Sequence, residues 1–393
     1  MNILWNIHGY PPYHNAGAEW MAHDLNKHLI EQGHSVKVIT RGISDQLVFE
    51  GVEIYPQDFR YYGKFCNWCD VIVTHLDQTG KSINVSRDFQ KPLLHIIHNN
   101  HPYGEIKQCQ HDGYVVYNSE WVAKSLNYSR PSIVCHPIIN MDYYKVDNSG
   151  AEAIVLINLW ENKGGKVLFE IAKQMPDKKF IGVKGGYGEQ YIDESVKNVT
   201  ILENTKEIRD VYKKARIVLM PSSYESWGRV ACEAIASGIP VIAQATPGLK
   251  ESLSDAGLFC DRDCISEWVS MIRKLDDEKV YKKVSDKCKQ RAIELTEIFT
   301  EDKIKFELFI KSFTKMDEFK CIFIKEYNGY SVGDEILLNG RRYNTLKNSG
   351  IVVLASEYKN KSMEKESIEK ELKDQKPETK ELKIKGKTTK SIK

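Results

Sequence analysis

Short apolar runs alternate with amphipathic segments along the first 315 residues of the chain. Residues 3–8 predict a first strand, and residues 17–32, where apolar side chains recur at helical spacing, predict a helix that ends at Gly33. Residues 35–40 predict the second strand. Strands that alternate with helices in this way form parallel sheets with crossover helices, so the pattern indicates an α/β fold.

The same alternation continues towards the C-terminal part of the chain. Further strands are predicted at 71–74, 93–98, 113–117, 132–135, 153–158, 180–184, 199–202, 217–220 and 239–243, with helices ending at 174 and spanning 208–215. These elements fall into two groups, one on either side of residues 137–144. We therefore expect doubly wound domains at 1–145 and 146–316, a small β-rich appendage at 317–358 and a Lys/Glu-rich disordered tail at 359–393.

Length and composition allow this organisation. The 393 residues can form two domains with sizeable cores, and no apolar run approaches the 18 residues that indicate a membrane span. The N-terminus lacks the features of a signal peptide, which favours a cytoplasmic location. The nine cysteines are scattered, and no second pair follows Cys66-x-x-Cys69. Reduced structural thiols are therefore expected, rather than a zinc site.

One stretch carries most of the candidate chemistry. Residues 221–234 lie between two apolar runs and read as a loop followed by a helix that starts near Ser226, with Gly228 in its first turn. The free N–H groups of such a helix start favour a diphosphate. Glu225 and Glu233 cannot attract phosphate, so we expect them to accept hydrogen bonds from ligand hydroxyls. Taken singly, each glutamate could also be an ordinary helix or surface residue.

The motif Glu-x7-Glu, with Gly228 between the acids, residues 233–243 after them and Gly248-x-x-Glu251 beyond, resembles the signature of retaining glycosyltransferases of family four. These enzymes have the GT-B fold, in which two Rossmann-like domains face a cleft. The resemblance implies that Glu225 holds the donor sugar and Glu233 the ribose of the nucleotide. It also implies that the diphosphate meets the backbone at Ser226, Trp227, Gly228 and Arg229.

The resemblance extends to the N-terminal half. His98 matches the histidine that the family delivers to the donor sugar, with a buried structural histidine as the alternative. The loop at 9–19 matches the family's glycine-rich loop, which closes on the donor phosphates and the acceptor, although Gly17 is its only glycine in the family's glycine positions. His95, His98 and His101 could suggest a metal, but His95 and His98 should point to opposite faces of a strand, so no metal site is expected.

The clearest departure from the family concerns the diphosphate. Relatives usually carry an arginine and, five positions later, a lysine. Lys163 fits the lysine, whereas Asn158 replaces the arginine. That loss should cost about 1–3 kcal/mol of donor binding unless Arg229, or Lys184 ahead of Gly185, takes its place.

The segment from 203 to 208 resembles the connection that contacts the nucleotide base through backbone groups. It brings Asn204 and Ile208 into the donor site. Because backbone contacts leave little trace in a sequence, uridine and guanosine are not distinguished.

The resemblance implies a retaining transfer of a hexose-type sugar from a UDP- or GDP-sugar to a hydroxyl acceptor, with no cofactor and no essential metal. The acceptor can be a glycan, a lipid or a small molecule, or alternatively a modified DNA base or a protein. A GT-B protein that binds a nucleotide sugar without transfer, or an isomerase on that fold, is the remaining alternative, which Asn158 suggests.

The tail at 359–393 has 12 lysines against 7 acidic residues, so basicity is local to it. It is either an anion-binding segment, for nucleic acid, a membrane surface or an acidic partner, or a solvated terminus.

Overall fold

The computed structural model describes residues 1–101, 113–186, 188–314, 318–339, 343 and 346–358. The chain divides into two compact units, Met1–Thr314 and Lys315–Lys393. The predicted tail at 359–393, Tyr187, and residues 102–104 of the loop that follows His101 lie outside the described residues.

The first unit contains two sheets, and the N-terminal one has eight strands. Its strands are β1 (Asn2–Asn6), β2 (Ser35–Thr40), β3 (Leu47–Phe49), β4 (Val52–Pro56), β5 (Val71–His75), β6 (Leu93–Ile97), β7 (Tyr114–Tyr117) and β8 (Ser132–Val134). The order is β3-β4-β2-β1-β5-β6-β7-β8, parallel throughout except for the β3–β4 pair. The helices of this half are α1 (Gly17–Glu31), α2 (Phe59–Trp68), α3 (Thr79–Asp88) and α4 (Glu120–Leu126).

The second sheet has six parallel strands in the order β11-β10-β9-β12-β13-β14. They are β9 (Ala153–Ile157), β10 (Phe180–Val183), β11 (Val199–Leu202), β12 (Ala215–Met220), β13 (Val241–Gln244) and β14 (Leu258–Cys260). The helices are α5 (Met141–Tyr144), which precedes this sheet, α6 (Gly165–Gln174), α7 (Arg209–Tyr212), α8 (Arg229–Ile235), α9 (Pro247–Leu253), α10 (Ile265–Lys274) and α11 (Glu278–Thr314). The predicted doubly wound α/β fold is therefore confirmed.

Each sheet reverses its strand order at one point. The reversal falls between β1 and β5 in the first sheet and between β9 and β12 in the second. In open α/β sheets, ligands bind beyond the carboxyl ends of the strands at such a point, because the connecting loops diverge there and leave a crevice. The two reversals therefore mark where the chemistry of each half should lie.

The central strands of both sheets consist mostly of buried apolar residues, as is typical of parallel sheets that helices cover on both faces. The 37-residue helix α11 packs against α8 of the second half and against β8 and α1 of the first half. Its buried side chains include Phe299, Phe306 and Ile310. No described helix combines the length and the apolarity that crossing a bilayer requires.

The second unit contains an antiparallel sheet in the order β16-β15-β17. Its strands are β15 (Glu318–Phe323), β16 (Glu335–Asn339) and β17 (Val352–Leu354). Cys321, Phe323 and Val352 form its small core together with Leu338 and Leu346. A small β-rich segment was predicted at 317–358, and a short helical stretch at 346–348 precedes β17.

The sequence did not predict three strands of the first unit, β3, β4 and β14. Strands β3 and β4 lie at one side of the first sheet, where β3 is the edge strand and pairs with β4. Glu50 and Gly51 make the turn between them with positive φ angles of 45° and 86°. Glutamate is not typical of that conformation, so the hairpin carries no clear sequence signal.

Candidate active site

A cavity of about 340 Å³ lies at the carboxyl ends of both sheets. Its lining includes nearly all of the site residues that the sequence predicted, namely Gly17, His98, Asn158, Lys163, Gly185, Asn204, Ile208, Glu225, Ser226, Trp227, Gly228, Arg229 and Glu233. Lys184 is not among the lining residues, and its ammonium instead bonds the exposed Glu203 carboxylate at 2.7 Å. The structure therefore brings the predicted residues of both halves together around one space.

Glu225 and Lys163 form an ion pair inside this cavity. The Lys163 Nζ lies 2.6 Å from Glu225 Oε1, which also accepts a hydrogen bond from the Ser222 hydroxyl at 2.9 Å. The loop that carries Lys163 is fixed by Gly164, where a Cβ would lie 2.2 Å from the Pro221 ring. Because both partners are mostly buried, the pair holds the Glu225 carboxylate in one orientation.

Helix α8 begins at Arg229 rather than near Ser226, so the predicted helix start was wrong by about three residues. Gly228 is the N-cap, with a φ of 95°, and it cannot supply a side-chain cap. A side chain there would be strained by that φ, and its Cβ would lie 2.5 Å from Leu249. The first backbone N–H groups of the helix therefore lie at the wall of the cavity, and no side chain at the N-cap position accepts a hydrogen bond from them.

Gly248 supports the same loop from behind. A Cβ at this position would lie 2.4 Å from the carbonyl oxygen of Glu225 and 2.4 Å from the carbonyl carbon of Ser226. The glycine of the Gly-x-x-Glu motif is therefore needed because helix α9 packs directly on the backbone that carries Glu225.

Glu233 is buried and makes two hydrogen bonds. Its Oε1 accepts from Arg229 Nε at 2.9 Å, and its Oε2 accepts from the Tyr212 hydroxyl at 2.8 Å. Burial raises the pKa of the Glu233 carboxyl, although Arg229 and Tyr212 act in the opposite direction. Each oxygen keeps a second lone pair that can accept a ligand hydroxyl.

Arg229 ties three parts of the fold together. Besides Glu233, its guanidinium bonds the Asp24 carboxylate of α1 at 3.0 Å and the Ile138 carbonyl oxygen at 3.2 Å. Its Nη2 also approaches the Tyr144 hydroxyl at 3.5 Å. Most of its hydrogen-bonding capacity is therefore used within the protein, which weakens the sequence-based idea that it replaces the missing arginine.

Asn158 has a structural reason to be an asparagine. Its φ is 74°, in the left-handed region that asparagine tolerates better than most residues. Its Oδ1 accepts from the Trp160 N–H at 3.0 Å, and its side chain packs where a Cβ on Gly185 would fall, 2.2 Å from Oδ1. An arginine at this position would lose this turn.

His98 contributes from the other side of the cavity. Burial lowers the pKa of its imidazole to about 4, so the ring is neutral near pH 7. The backbone carbonyl of His98 accepts a hydrogen bond from the Asn118 side chain at 3.0 Å, and the same amide group bonds the Ser226 hydroxyl at 2.8 Å. Asn118 thereby couples the histidine segment to the loop of the second half.

Further hydrogen bonds cross the cavity. The Asn15 amide bonds the Asn204 side chain at 3.3 Å, and the Trp121 indole N–H bonds the carbonyl oxygen of Ser226 at 2.8 Å. Glu251 accepts from the backbone N–H groups of Glu120 and Trp121, at 2.7 and 3.0 Å. It caps helix α4, which lacks a side-chain cap of its own, so the glutamate of Gly-x-x-Glu joins the two halves.

Several lining or supporting residues were missed from the sequence, notably Asp24, Asn118, Lys206 and Tyr212. Asn118 directly follows β7, and polar residues at the carboxyl end of a parallel strand are a usable signal. Asp24 and Tyr212 lie within helices and carry no such signal.

The Cys66-x-x-Cys69 pair belongs to the core and not to a site. Both thiols are buried, and burial raises their pKa values to about 11 and about 12. Neither is a thiolate at neutral pH, so the expectation of structural thiols agrees with the surroundings of this pair.

The comparisons with known proteins point to one class. Residues 153–294 match the family model described as Glycosyl transferases group 1. About four fifths of the chain resembles proteins of the GT-B fold. Sucrose-phosphate synthase from Thermosynechococcus elongatus has a TM-score of 0.67 at 16% identity, covering 80% of this chain and 99% of its own. The Anabaena HepE protein, solved in complex with UDP-glucose, has a TM-score of 0.66 at 17% identity, covering 79% and 100%.

The chain therefore has the GT-B fold and contains a Glycosyl transferases group 1 domain. Among curated proteins it is similar to D-inositol 3-phosphate glycosyltransferase of Mycobacterium sp. (strain KMS), 28% identical over 193 residues, which is 41% of this chain and 44% of that protein. The enzyme of the same name from Arthrobacter sp. (strain FB24) is 36% identical over 77 residues, 19% and 18% of the two chains. The match thus spans less than half the length of these relatives.

Proposed function

We propose that this protein is a retaining glycosyltransferase that transfers a sugar from a nucleotide diphosphate sugar to a hydroxyl acceptor. The observation that carries the proposal is one cavity lined by Lys163, Glu225 and Glu233 from one half and by His98 from the other. The group 1 family match covers the half that would bind the donor.

The diphosphate needs cations, since the leaving group gains negative charge as the glycosidic bond breaks. Lys163 provides one positive charge, although the Glu225 carboxylate that it bonds partly neutralises it. Lys206 also lines the cavity, and it makes no hydrogen bond or ion pair within the described part of the chain. We infer that Lys206 supplies the second positive charge that Asn158 does not, which makes the loss of the family arginine compatible with transfer.

The hydroxyl groups of the donor need acceptors. Glu233 has unused lone pairs beside its bonds to Arg229 and Tyr212, which suits the ribose. Glu225, fixed by Lys163, suits the donor sugar. The ion pair with Lys163 fixes the position of this side chain as a hydrogen-bond acceptor.

The donor nucleotide is proposed to be UDP, since HepE was solved with UDP-glucose and with UDP. The curated relatives are named for D-inositol 3-phosphate, and a polyol acceptor is accordingly the first to test. The alternatives that depend on the basic tail, a DNA or acidic acceptor, stay predictions because the tail lies outside the described residues.

The test is release of nucleoside diphosphate from a panel of UDP- and GDP-sugars, with and without polyol and glycan acceptors. We expect turnover with a UDP-sugar and a product that retains the anomeric configuration by NMR. Glu225→Gln should lower kcat by about 100-fold, since it removes a charge and its Lys163 contact at the reacting sugar. Absence of release with every donor and acceptor, or an inverted product, would contradict the proposal.

Lys206 has its own test. Lys206→Ala should raise the KM for the donor about 3- to 10-fold, the modest effect of an exposed charge acting on a diphosphate. Lys213→Ala is the matched control, because Lys213 is an exposed lysine of the same region that pairs with Asp210 and does not line the cavity. Equal KM values for the two variants would show that Lys206 is not the second cation.

A further inference from the structure

Two histidines and a glutamate form a compact group in the N-terminal half, called here the histidine cluster: His8, Glu19 and His75. Each offers one ligand atom, and these atoms all lie within 4.8 Å of one another. His8 Nε2 is 3.0 Å from Glu19 Oε1. Among the described residues, this is the group whose donor atoms are close enough to hold a metal ion.

The topology brings these residues together. His8 follows β1 and His75 ends β5, the two strands between which the sheet reverses its order. Glu19 lies in the first turn of α1. The cluster therefore occupies the crevice that the first sheet forms at its ligand-binding edge.

The polar atoms of the cluster are buried and poorly satisfied. The Glu19 side chain is 1% exposed, and neither of its carboxylate oxygens has a hydrogen-bond partner of good geometry among the described residues. His75 is fully buried and its Nε2 is likewise without such a partner. Buried carboxylates and imidazoles in this state are costly, and a bound cation removes the cost by accepting their lone pairs.

Two neighbouring histidines contact the candidate ligands His75 and Glu19 and orient them, as polar neighbours usually do around a metal site. The other ring nitrogen of His75, Nδ1, lies 3.0 Å from His98 Nε2. A ligating histidine normally donates its second N–H to an acceptor, and the facing Nε2 of His98 is placed to be that acceptor. On the far side of the carboxylate, His14 Nδ1 lies 3.5 Å from Glu19 Oε2.

We propose that His8, Glu19 and His75 bind one divalent transition-metal ion of the zinc class. Two imidazole nitrogens and one carboxylate oxygen are a donor set that zinc accepts, with bonds of about 2.0–2.2 Å and a fourth position for water or a hydroxyl. Ligand atoms at such bond lengths lie closer together than 4.8 Å, so the cluster contracts when the ion binds. The ion would sit next to His98, which lines the donor cavity, and so at the acceptor side of the site.

The proposed ligands are not the histidines that the sequence singled out. Those were His95, His98 and His101, which lie within seven residues of chain and for which no metal was expected. The cluster instead joins positions that are up to 67 residues apart, and no spacing in the sequence connects them.

The test uses the full chain after dialysis against a chelator, titrated with Zn²⁺ in a calorimeter and with Co²⁺ in a spectrophotometer. One ion should bind per chain, and the Co²⁺ form should show visible ligand-field bands without a thiolate charge-transfer band. Such a band would place the ion on cysteine thiolates and overturn the proposal, as would the absence of stoichiometric binding.

Glu19→Gln and His75→Gln should each weaken Zn²⁺ binding by at least about 100-fold, since each removes a direct ligand. His34→Gln is the matched control: His34 is another buried histidine that faces a glutamate, Glu307, at 3.2 Å outside the cluster. If the cluster variants bind Zn²⁺ as tightly as the control, the proposal is wrong. If a cluster variant does not fold, the Co²⁺ spectrum of the unaltered chain decides. None of these readouts depends on sugar transfer, so failure of the proposed activity leaves the test valid.

Discussion

A methyl group at position 248 has no room in this fold. In a Gly248→Ala variant the new Cβ would lie 2.4 Å from the Glu225 carbonyl oxygen and equally close to the Ser226 carbonyl carbon. Both contacts are to backbone, so no side-chain rotation relieves them. The loop that presents Glu225, or helix α9 itself, has to move.

The size of the movement follows from the contact distance. Ordinary contacts of a Cβ begin at about 3.4 Å, so the two segments must separate by about 1 Å. A displacement of about 1 Å in a group that orients the substrate lowers the rate by about 100-fold. The strain should also cost about 1–3 kcal/mol of unfolding free energy, as overpacked positions usually do.

The assay has two parts, kcat/KM for donor turnover and the unfolding free energy in urea. Gly63→Ala is the control, because Gly63 lies inside helix α2 with nothing within 4 Å of the added Cβ. It should leave turnover unchanged and stabilise the protein by about 0.5–1 kcal/mol. A Gly248→Ala protein with turnover within threefold of the original and unchanged stability would refute the packing argument.

Three further predictions follow from buried polar groups. Burial lowers the pKa of the His136 imidazole, but its bonds to Asp302 at 2.7 Å and Glu251 at 3.1 Å outweigh this and raise it. The stabilisation that the protonated His136 provides is therefore complete below about pH 6.5 and is lost as the pH rises through the pKa of the folded state. The free energy of unfolding in urea, measured from pH 6 to 9, should fall over this range in the unaltered protein, and this fall should be absent in His136→Gln. Asn158→Ala should be about 1 kcal/mol less stable than Asn158→Gly. Both variants lose the side-chain hydrogen bond, but only alanine is strained at a φ of 74°. Equal stabilities of the two variants in thermal unfolding would contradict this. Arg229→Met should cost about 3–5 kcal/mol, because it removes the cation that pairs with the buried Glu233 and the partly buried Asp24. A loss below 1 kcal/mol in urea unfolding would show that these pairs do not stabilise the fold.

Much of the fold could be predicted from the chain because its parallel strands are continuous apolar runs with clear ends. β2 and β11 begin and end where the pattern predicts, and most other central strands differ by one or two residues. Strands β3 and β4 were missed because the edge strand β3 is short and only partly buried, and because the turn between the two strands uses Glu50, an unfavourable residue for its φ.

The donor side of the site was accessible from the sequence for a related reason. Two of its residues, Lys163 and Glu225, lie in loops that follow strands, and Glu233 lies in helix α8. Local spacing therefore fixes which edge of the sheet they reach. Spacing did not reveal that Lys163 and Glu225 bond each other across 62 residues, nor that Arg229 is occupied by Asp24. Those contacts depend on how loops from different strands converge.

The sequence alone thus determined the alternating α/β pattern, the doubly wound class and the carboxylate pair in its helix-loop context, because each depends on neighbours within a few turns of chain. Only the tertiary structure decided that Gly248 must lack a side chain, that Asn158 serves a left-handed turn and that His8, Glu19 and His75 meet. All three features arise where segments that are distant in sequence pack against one another. That packing, and not local propensity, determines how much free energy the burial of a polar group costs.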